Sequence, residues 1–268
     1  IESYNPIGSF KGRGVSWWFK QNPQIKNIVC ASAGNFGQAV AYVGRKSNTD
    51  VTIFAAESAN ESKVAAMICF GAKMIISGHD FDSAKLAAEQ YVQESNAHFL
   101  VDGLAPEIAV GAGSSMVELG EYLQPIHKFY VPVGNGSLIN GIGAWAKAHL
   151  PDTKIIGVVA ENAPSMLLSW QADKVINTNS ANTIADGIAI RRPIWEAVQL
   201  MREVVDDVMT VSETEIEQAA EVLLTQENLV VEPAGCVSLA AIIKNKDADQ
   251  GLTVGNLICG KHIRPISL

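Results

Sequence analysis

A chain of 268 residues, 48% of them hydrophobic, is long enough for one large domain or two smaller ones with sizeable cores. The formal charge of -8 and an isoelectric point near 5.2 weigh against a nucleic-acid or anionic-membrane surface, because phosphate backbones select clustered Lys and Arg; a small-molecule partner is expected. Cys30, Cys69, Cys236 and Cys259 lie far apart with no C-x-x-C pair, which indicates neither a zinc site nor a disulfide framework and fits a reducing cytoplasm.

The chain opens on the polar stretch IESYNP, which is not a signal peptide, and no apolar run reaches the roughly 18 residues of a membrane span. Residues 5–14, NPIGSFKGRG, set Lys11 between an aromatic ring and a glycine. Beyond them, apolar β-rich runs alternate with amphipathic stretches. KNIVCAS (26–32) predicts a strand, followed by a helix from about Phe36 to Arg45; VTIFAA (51–56) predicts a second strand, followed by a helix across Ser62 to Phe70. KMIISG (73–78) reads as a strand, DSAKLAAEQYVQES (82–95) as a helix and AHFLVDG (97–103) as a strand. KFYVPVG (128–134), a helix to Ala148 and KIIGVVAE (154–161) continue the series. In SETEIEQAAEVLLTQEN (212–228), Ser212 and Glu215 form a capping box ahead of the apolar positions Ile216, Ala219, Ala220 and Leu223, so a helix that packs on the core is expected. The β-α-β-α order predicts an α/β fold with mainly parallel sheets covered on both faces.

Two turns that follow strands have the composition of anion sites. In CASAGNFGQAVAY (30–42), Ser32, Ala33, Gly34 and Asn35 stand between a strand and a helix start, where backbone N–H groups and the positive end of the helix dipole favour a carboxylate or phosphate. In VPVGNGSLINGIG (131–143), Gly134, Asn135, Gly136 and Ser137 hold the corresponding place, and the missing side chains let several amides converge on a phosphate. Neither is a Walker A loop, since no Lys-Ser/Thr follows, and the second lacks the full dinucleotide fingerprint. A nucleotide is therefore disfavoured. A turn of either kind can equally be a plain strand-to-helix connector, and Lys11 can equally be a surface lysine. Taken together they select a different chemistry. An amine beside Phe10 with little polar cover has its pKa lowered and becomes the neutral nucleophile that a Schiff base requires. With one turn for a phosphate and one for an amino-acid carboxylate, the combination points to pyridoxal phosphate.

The chain resembles the fold-type II pyridoxal-phosphate enzymes, and within them the threonine/serine dehydratases. The resemblance rests on GSFKGRG (8–14), ASAGNFGQAVAY (31–42), VPVGNGSLINGIG (131–143), TIADGIAIRRP (183–193), VEPAGCVSLAA (231–241) and ICG (258–260), all in family order. It implies a tryptophan synthase β-like fold of two domains, each a mainly parallel twisted sheet flanked by helices: an inserted small substrate-binding domain over 32–111, and a large cofactor-binding domain over 1–31 and 112–268. Lys11 is implied as the Schiff-base lysine, with Phe10 on one face of the pyridine ring and Gly187 behind the other. Asn35 would bond the cofactor's 3'-oxygen, and Gly134, Asn135, Gly136, Ser137 and Leu138 would cradle its phosphate. Ser32, Ala33, Gly34 and Asn35 would grip the substrate carboxylate, Glu232 would lie near the ring, and Cys259 beside the pyridine nitrogen.

A thiol at that nitrogen does not enforce ring protonation as a carboxylate does. A long-lived carbanion is then disfavoured and loss of a β-leaving group is favoured. The implied activity is elimination of the β-hydroxyl of L-threonine or L-serine, giving a 2-oxo acid and ammonia, with Lys11 removing the α-proton. Family members that racemise serine carry a Ser at the position of Ala33, and alanine cannot donate that proton, so a dehydratase is expected rather than a racemase. The alternatives are a threonine synthase, which needs an extra basic phosphate site, another β-eliminating enzyme of this fold type, or a catalytically impaired homologue that only binds the cofactor or an amino acid. A cytoplasmic homodimer or homotetramer is implied by the resemblance alone.

The sequence departs from the family pattern at three places. Asn135 and Ser137 replace two glycines commonly found in the phosphate turn; Asn tolerates positive φ, and the Ser hydroxyl can add a phosphate bond. Gly260 is followed by Lys261 and His262 where Gly-Asn is usual. Family members also carry a longer segment ahead of the lysine motif, so the expectation is that this N-terminal segment is missing. Elsewhere, Cys30, Cys69 and Cys236 are expected to be inert core residues. His79, His98, His127 and His149 lack ligand spacing. Glu161 occupies a cation-ligand position of some relatives, but Leu167 stands where a second carboxylate would be needed, so no metal site is expected. Trp17 and Trp18 are expected in the core or a subunit contact.

Overall fold

The computed structural model describes residues 1–121 and 125–261; His262 lies outside them. The described residues pack as two compact units, residues 4–111 and residues 1–3 with 112–261. The first contains, in chain order, α1 (Lys11–Gln21), β1 (Asn27–Ala31), α2 (Asn35–Lys46), β2 (Asp50–Ala55), α3 (Glu61–Cys69), β3 (Lys73–Ile76), α4 (Phe81–Glu94), β4 (His98–Phe99) and the start of α5 (Pro106–Gly120). Its four strands run in the order β3-β2-β1-β4, every pair parallel. Side chains alternate across a strand, and β1 divides its apolar residues accordingly. Ile28 and Cys30 pack with Val15, Trp18, Phe19, Phe36 and Val40 on one face, whereas Val29 joins Phe54 and Ala88 on the other. Both faces are covered, which explains why the strands read as unbroken apolar runs.

Helix α1 is absent from the sequence reading. Glycine costs about 1 kcal/mol relative to alanine inside a helix, and KGRGVSWWFKQ carries two. Tertiary packing overrides that propensity: Val15, Trp18 and Phe19 are buried, and a Cβ on Gly14 would stand 2.4 Å from the Ile108 carbonyl oxygen. The strand expected over 97–103 shortens to His98–Phe99: Leu100 N–H still donates to the Val29 oxygen of β1, and the chain then turns away through Gly103 at φ 91°.

The second unit contains β5 (Lys128–Pro132), α6 (Ser137–His149), β6 (Lys154–Ala160), α7 (Ser165–Ala172), α8 (Trp195–Val204), β7 (Asp207–Val211), α9 (Glu213–Glu227), α10 (Pro233–Lys244) and β8 (Val254–Asn256). Its sheet, also parallel throughout, has the order β7-β6-β5-β8. The expected capping box opens α9: Ser212 Oγ accepts from Glu215 N–H, and Glu215 Oε2 accepts from Ser212 N–H. Tyr130, Val158, Ile216, Val237 and Ala241 share one core cluster. Cys30 and Cys236 are buried and their thiols are pushed up to about 12, the first by burial and the second by burial and then by the charge of Glu232. Cys69 departs from its expected core role and is exposed, because it ends α3 on the outward side. Trp18 is buried while Trp17 is 37% exposed. No helix among the described residues is long and apolar enough to cross a membrane.

The two sheets share a functional feature. β1 has parallel partners on both sides, β2 and β4, as β5 has β6 and β8. In open parallel sheets, ligands bind beyond the carboxyl ends of strands where the winding direction switches. The turn 32–34 follows β1, and the turn 133–136 follows β5.

Candidate functional site

In the unit 4–111, the turn after β1 is tied down by its own first side chain. Ser32 is buried, and its Oγ accepts from Gly34 N–H at 3.2 Å and Gly37 N–H at 2.9 Å. Sequence reasoning offered Ser32 and Gly34 to a ligand, whereas the structure first uses them to hold the turn in shape. A Cβ on Gly37 would lie 2.6 Å from Met67 Sδ, so this helix start is closely packed. Asn35 opens α2 and accepts from Gln38 Nε2 at 3.4 Å. Gln38 is 2% exposed, and its Oε1 has no hydrogen-bond partner among the described residues. Sequence reasoning missed Lys63 on α3. It is buried, and its Nζ lies 4.0 Å from where a Cβ on Gly34 would stand, a cation that suits an anion at this turn.

Lys11 is the first residue of α1, after the buried ring of Phe10. Its amine lies 4.8 Å from the centre of that ring, as the aromatic neighbour in the sequence suggested. The expectation of little polar cover is not met. Nζ donates to Asp102 Oδ2 at 2.5 Å, with the two side chains only 14% and 11% exposed. Ninety-one positions separate the partners, so no local sequence signal connects them.

The second unit brings most of its expected residues together. Gly136 precedes α6 at φ 90°, a left-handed conformation that favours glycine, and no side chain caps the helix. Its first amides and the positive end of its dipole therefore face the turn. A Cβ on Gly134 would stand 3.0 Å from the Gly187 carbonyl oxygen, and one on Gly187 would stand 3.0 Å from Ala234 Cβ. Ala234 lies in the first turn of α10, where its oxygen accepts from Cys259 Sγ at 3.7 Å. Glu232 is 2% exposed just before that helix, and its N–H donates to the Gly260 oxygen at 3.3 Å. Gly134, Gly187, Ala234 and Cys259 thus form one connected set, with Glu232 beside it. Ser137 and Leu138 are buried at the head of α6. Asn140, one turn further on, donates through Nδ2 to the Ala197 oxygen at 3.0 Å and keeps a buried Oδ1 with no partner among the described residues.

These residues fit the cofactor that the sequence resemblance implies. The uncapped start of α6, preceded by glycine backbone, offers amides of the kind that hold a phosphate. Gly187 packs closely on Ala234 where a Cβ would stand. Cys259 supplies a thiol; in the other unit, Lys11 is a primary amine.

Comparison with known proteins agrees. The sequence model of a family described as pyridoxal-phosphate dependent enzyme matches residues 1–260. The chain is 35% identical over 257 residues to an L-threonine ammonia-lyase of Geobacter sulfurreducens, covering 94% of this chain and 64% of that protein. It is 34% identical over 266 residues to an L-threonine ammonia-lyase of Thermotoga maritima, covering 98% of this chain and 66% of that one. The chain thus spans just under two thirds of these relatives' length. Among solved structures, the processed form of threonine deaminase isoform 2 from Solanum lycopersicum superposes with a TM-score of 0.91 at 26% identity, covering 98% of this chain and 78% of that one. A maize serine racemase superposes with a TM-score of 0.91 at 27% identity, covering 98% and 82%.

Proposed function

The chain belongs to the pyridoxal-phosphate-dependent enzyme family, and from that premise we propose that it removes the β-hydroxyl of L-threonine or L-serine to give a 2-oxo acid and ammonia. The observation that carries this reading is the connected set of Gly134, Gly187, Ala234 and Cys259 at the carboxyl end of β5. It brings glycine backbone, an uncapped helix start and a thiol together in one unit. The substrate class follows the relatives named L-threonine ammonia-lyase.

When bound, pyridoxal phosphate supplies an aldehyde that condenses with amines and a ring that withdraws electrons from a substrate's α-carbon. The residues of the chain divide the remaining work. The turn from Gly134 to Leu138 would hold the phosphate with backbone amides. By the family pattern, Phe10 and Gly187 would bound the ring faces, Asn35 would hydrogen-bond the 3'-oxygen, Glu232 would lie near the ring and Cys259 would meet the pyridine nitrogen. The turn from Ser32 to Asn35, with the charge of Lys63 nearby, receives the substrate carboxylate. Lys11 Nζ takes the α-proton. The hydroxyl leaves with a proton as water, and one water is consumed when the released enamine hydrolyses to oxo acid and ammonia. Ala33 carries no proton donor, which favours elimination over racemisation.

The test is a visible spectrum of the purified chain with pyridoxal phosphate, followed by borohydride reduction and mass spectrometry. The expected result is a reduced cofactor on Lys11 and oxo acid from threonine or serine. Turnover of phosphohomoserine instead would support a synthase, and substantial D-serine would overturn the assignment to elimination. A band with no product from any of these amino acids would leave a cofactor binder.

The phosphate turn has its own expected outcome. Changing Gly136 to Ala puts a Cβ at a positive φ, 3.1 Å from Ala197 Cβ and 3.2 Å from Asn140 Nδ2. Strain and overpacking of this kind cost about 1–3 kcal/mol. Retention of pyridoxal phosphate on dialysis should therefore weaken about ten- to hundredfold. Titration of the cofactor into the variant checks this.

A further inference from the structure

We propose that Asp102 is the positioning residue for Lys11: its carboxylate docks the amine in the cofactor-free chain and holds it back from reaction until the pair opens. This rests on the reading of Lys11 as the lysine that takes the cofactor.

Three features of the unit 4–111 support the assignment. Lys11 opens α1, so its cation stands at the positive end of a helix dipole, where a positive charge is disfavoured. Asp102 Oδ2, 2.5 Å from Nζ, offsets that cost, and the low exposure of both side chains keeps water from screening the pair. Asp102 also sits on the turn that follows β4, the strand paired with β1. It therefore stands at the same end of the sheet as the turn 32–34. Leu104 N–H donates to the Val101 oxygen, and Gly103 takes φ 91°, so the turn that presents the carboxylate is internally fixed.

An ammonium has no lone pair. For Nζ to act as a nucleophile, the pair opens and one proton passes from the nitrogen to solvent. While the pair is intact, Asp102 holds the amine in place and also holds it in its unreactive form.

The test needs no cofactor. The chain is treated with formaldehyde and cyanoborohydride, which methylate only neutral amines, and modification of each lysine is followed by peptide mass spectrometry. A charge-assisted hydrogen bond shielded from water occupies the donor that must be released before the nitrogen can attack an aldehyde. In Asp102→Asn, methylation of Lys11 is therefore expected to accelerate about tenfold or more, with exposed Lys174 unchanged, and Asp102→Glu should restore the slow rate. Asp102→Ser is a second neutral variant should the first not fold. An unchanged Lys11 rate in the folded neutral variants overturns the proposal. Adding pyridoxal phosphate separates the two readings. If labelling responds to Asp102 but no cofactor attaches to Lys11 in any form of the chain, the pairing stands and the functional reading falls. If the cofactor attaches and labelling ignores Asp102, the reverse holds.

Discussion

Replacing Lys11 by alanine is expected to lower oxo-acid formation by at least about a thousandfold, within the range for removing a residue that transfers a proton in the rate-limiting chemistry. The loss has two sources. The amine is the only group on the α1 start that can form a covalent bond to an aldehyde, and the same nitrogen is assigned the α-proton. Folding should survive, because the core on this side is made by Ile7, Val15, Trp18 and Phe19, while Lys11 contributes one ion pair at the helix start. Circular dichroism should therefore match the wild-type chain while borohydride no longer fixes the cofactor at residue 11. An alanine variant that turns over threonine or serine at near wild-type rate would remove Lys11 from the mechanism.

Replacing Asp249 by alanine is expected to destabilise the second unit by about 1–3 kcal/mol, the cost of leaving the buried Tyr130 hydroxyl and the half-buried Lys128 amine without their acceptor. Asp249 is 6% exposed. Its Oδ1 accepts from Lys128 Nζ at 2.6 Å, and its Oδ2 accepts from Tyr130 Oη at 2.6 Å. Both partners lie on β5, the strand that leads into the phosphate turn. Tyr130 is fully buried, and its hydroxyl is pushed up to about 12, first by burial and then by the hydrogen bond to Asp249. Burial alone would raise the Asp249 carboxyl, but Lys128 and Tyr130 outweigh it and hold the group below its ordinary 3.8. The sign of the pH dependence follows. A carboxylate whose folded value is depressed stabilises the fold fully above its unfolded value, and that contribution is lost as pH falls through the folded value. Urea denaturation of the wild-type chain should show stability falling below about pH 4, and Asp249→Ala should be less stable near neutral pH with a flatter acid limb. A variant as stable as wild type at neutral pH would mean that the pair adds nothing to the fold.

What sequence reasoning reached by itself was local. The strands at Asn27–Ala31, Asp50–Ala55, Lys128–Pro132 and Lys154–Ala160 were legible because parallel strands covered on both faces are continuous apolar runs. The capping box at Ser212 and Glu215 was legible because its two hydrogen bonds join residues three apart. The turns at 32–35 and 134–137 declared themselves through glycine and asparagine between a strand and a helix. The short strands β7 and β8 and the glycine-bearing α1 were not legible, since their stability comes from neighbours in the fold rather than from periodicity or propensity.

Only the tertiary structure decided what surrounds the chemistry. Lys11 meets Asp102 across 91 positions, and Tyr130 meets Asp249 across 119. Ser32 Oγ turns inward to the amides of its own loop, and Cys69 faces outward from a helix that reads as apolar. The reason is the range of the forces involved. Backbone hydrogen bonding and side-chain alternation repeat every two to four residues and leave a periodic trace in the sequence. The pairing of a charge or a thiol depends instead on which strands lie side by side, and that is settled by packing of the whole sheet.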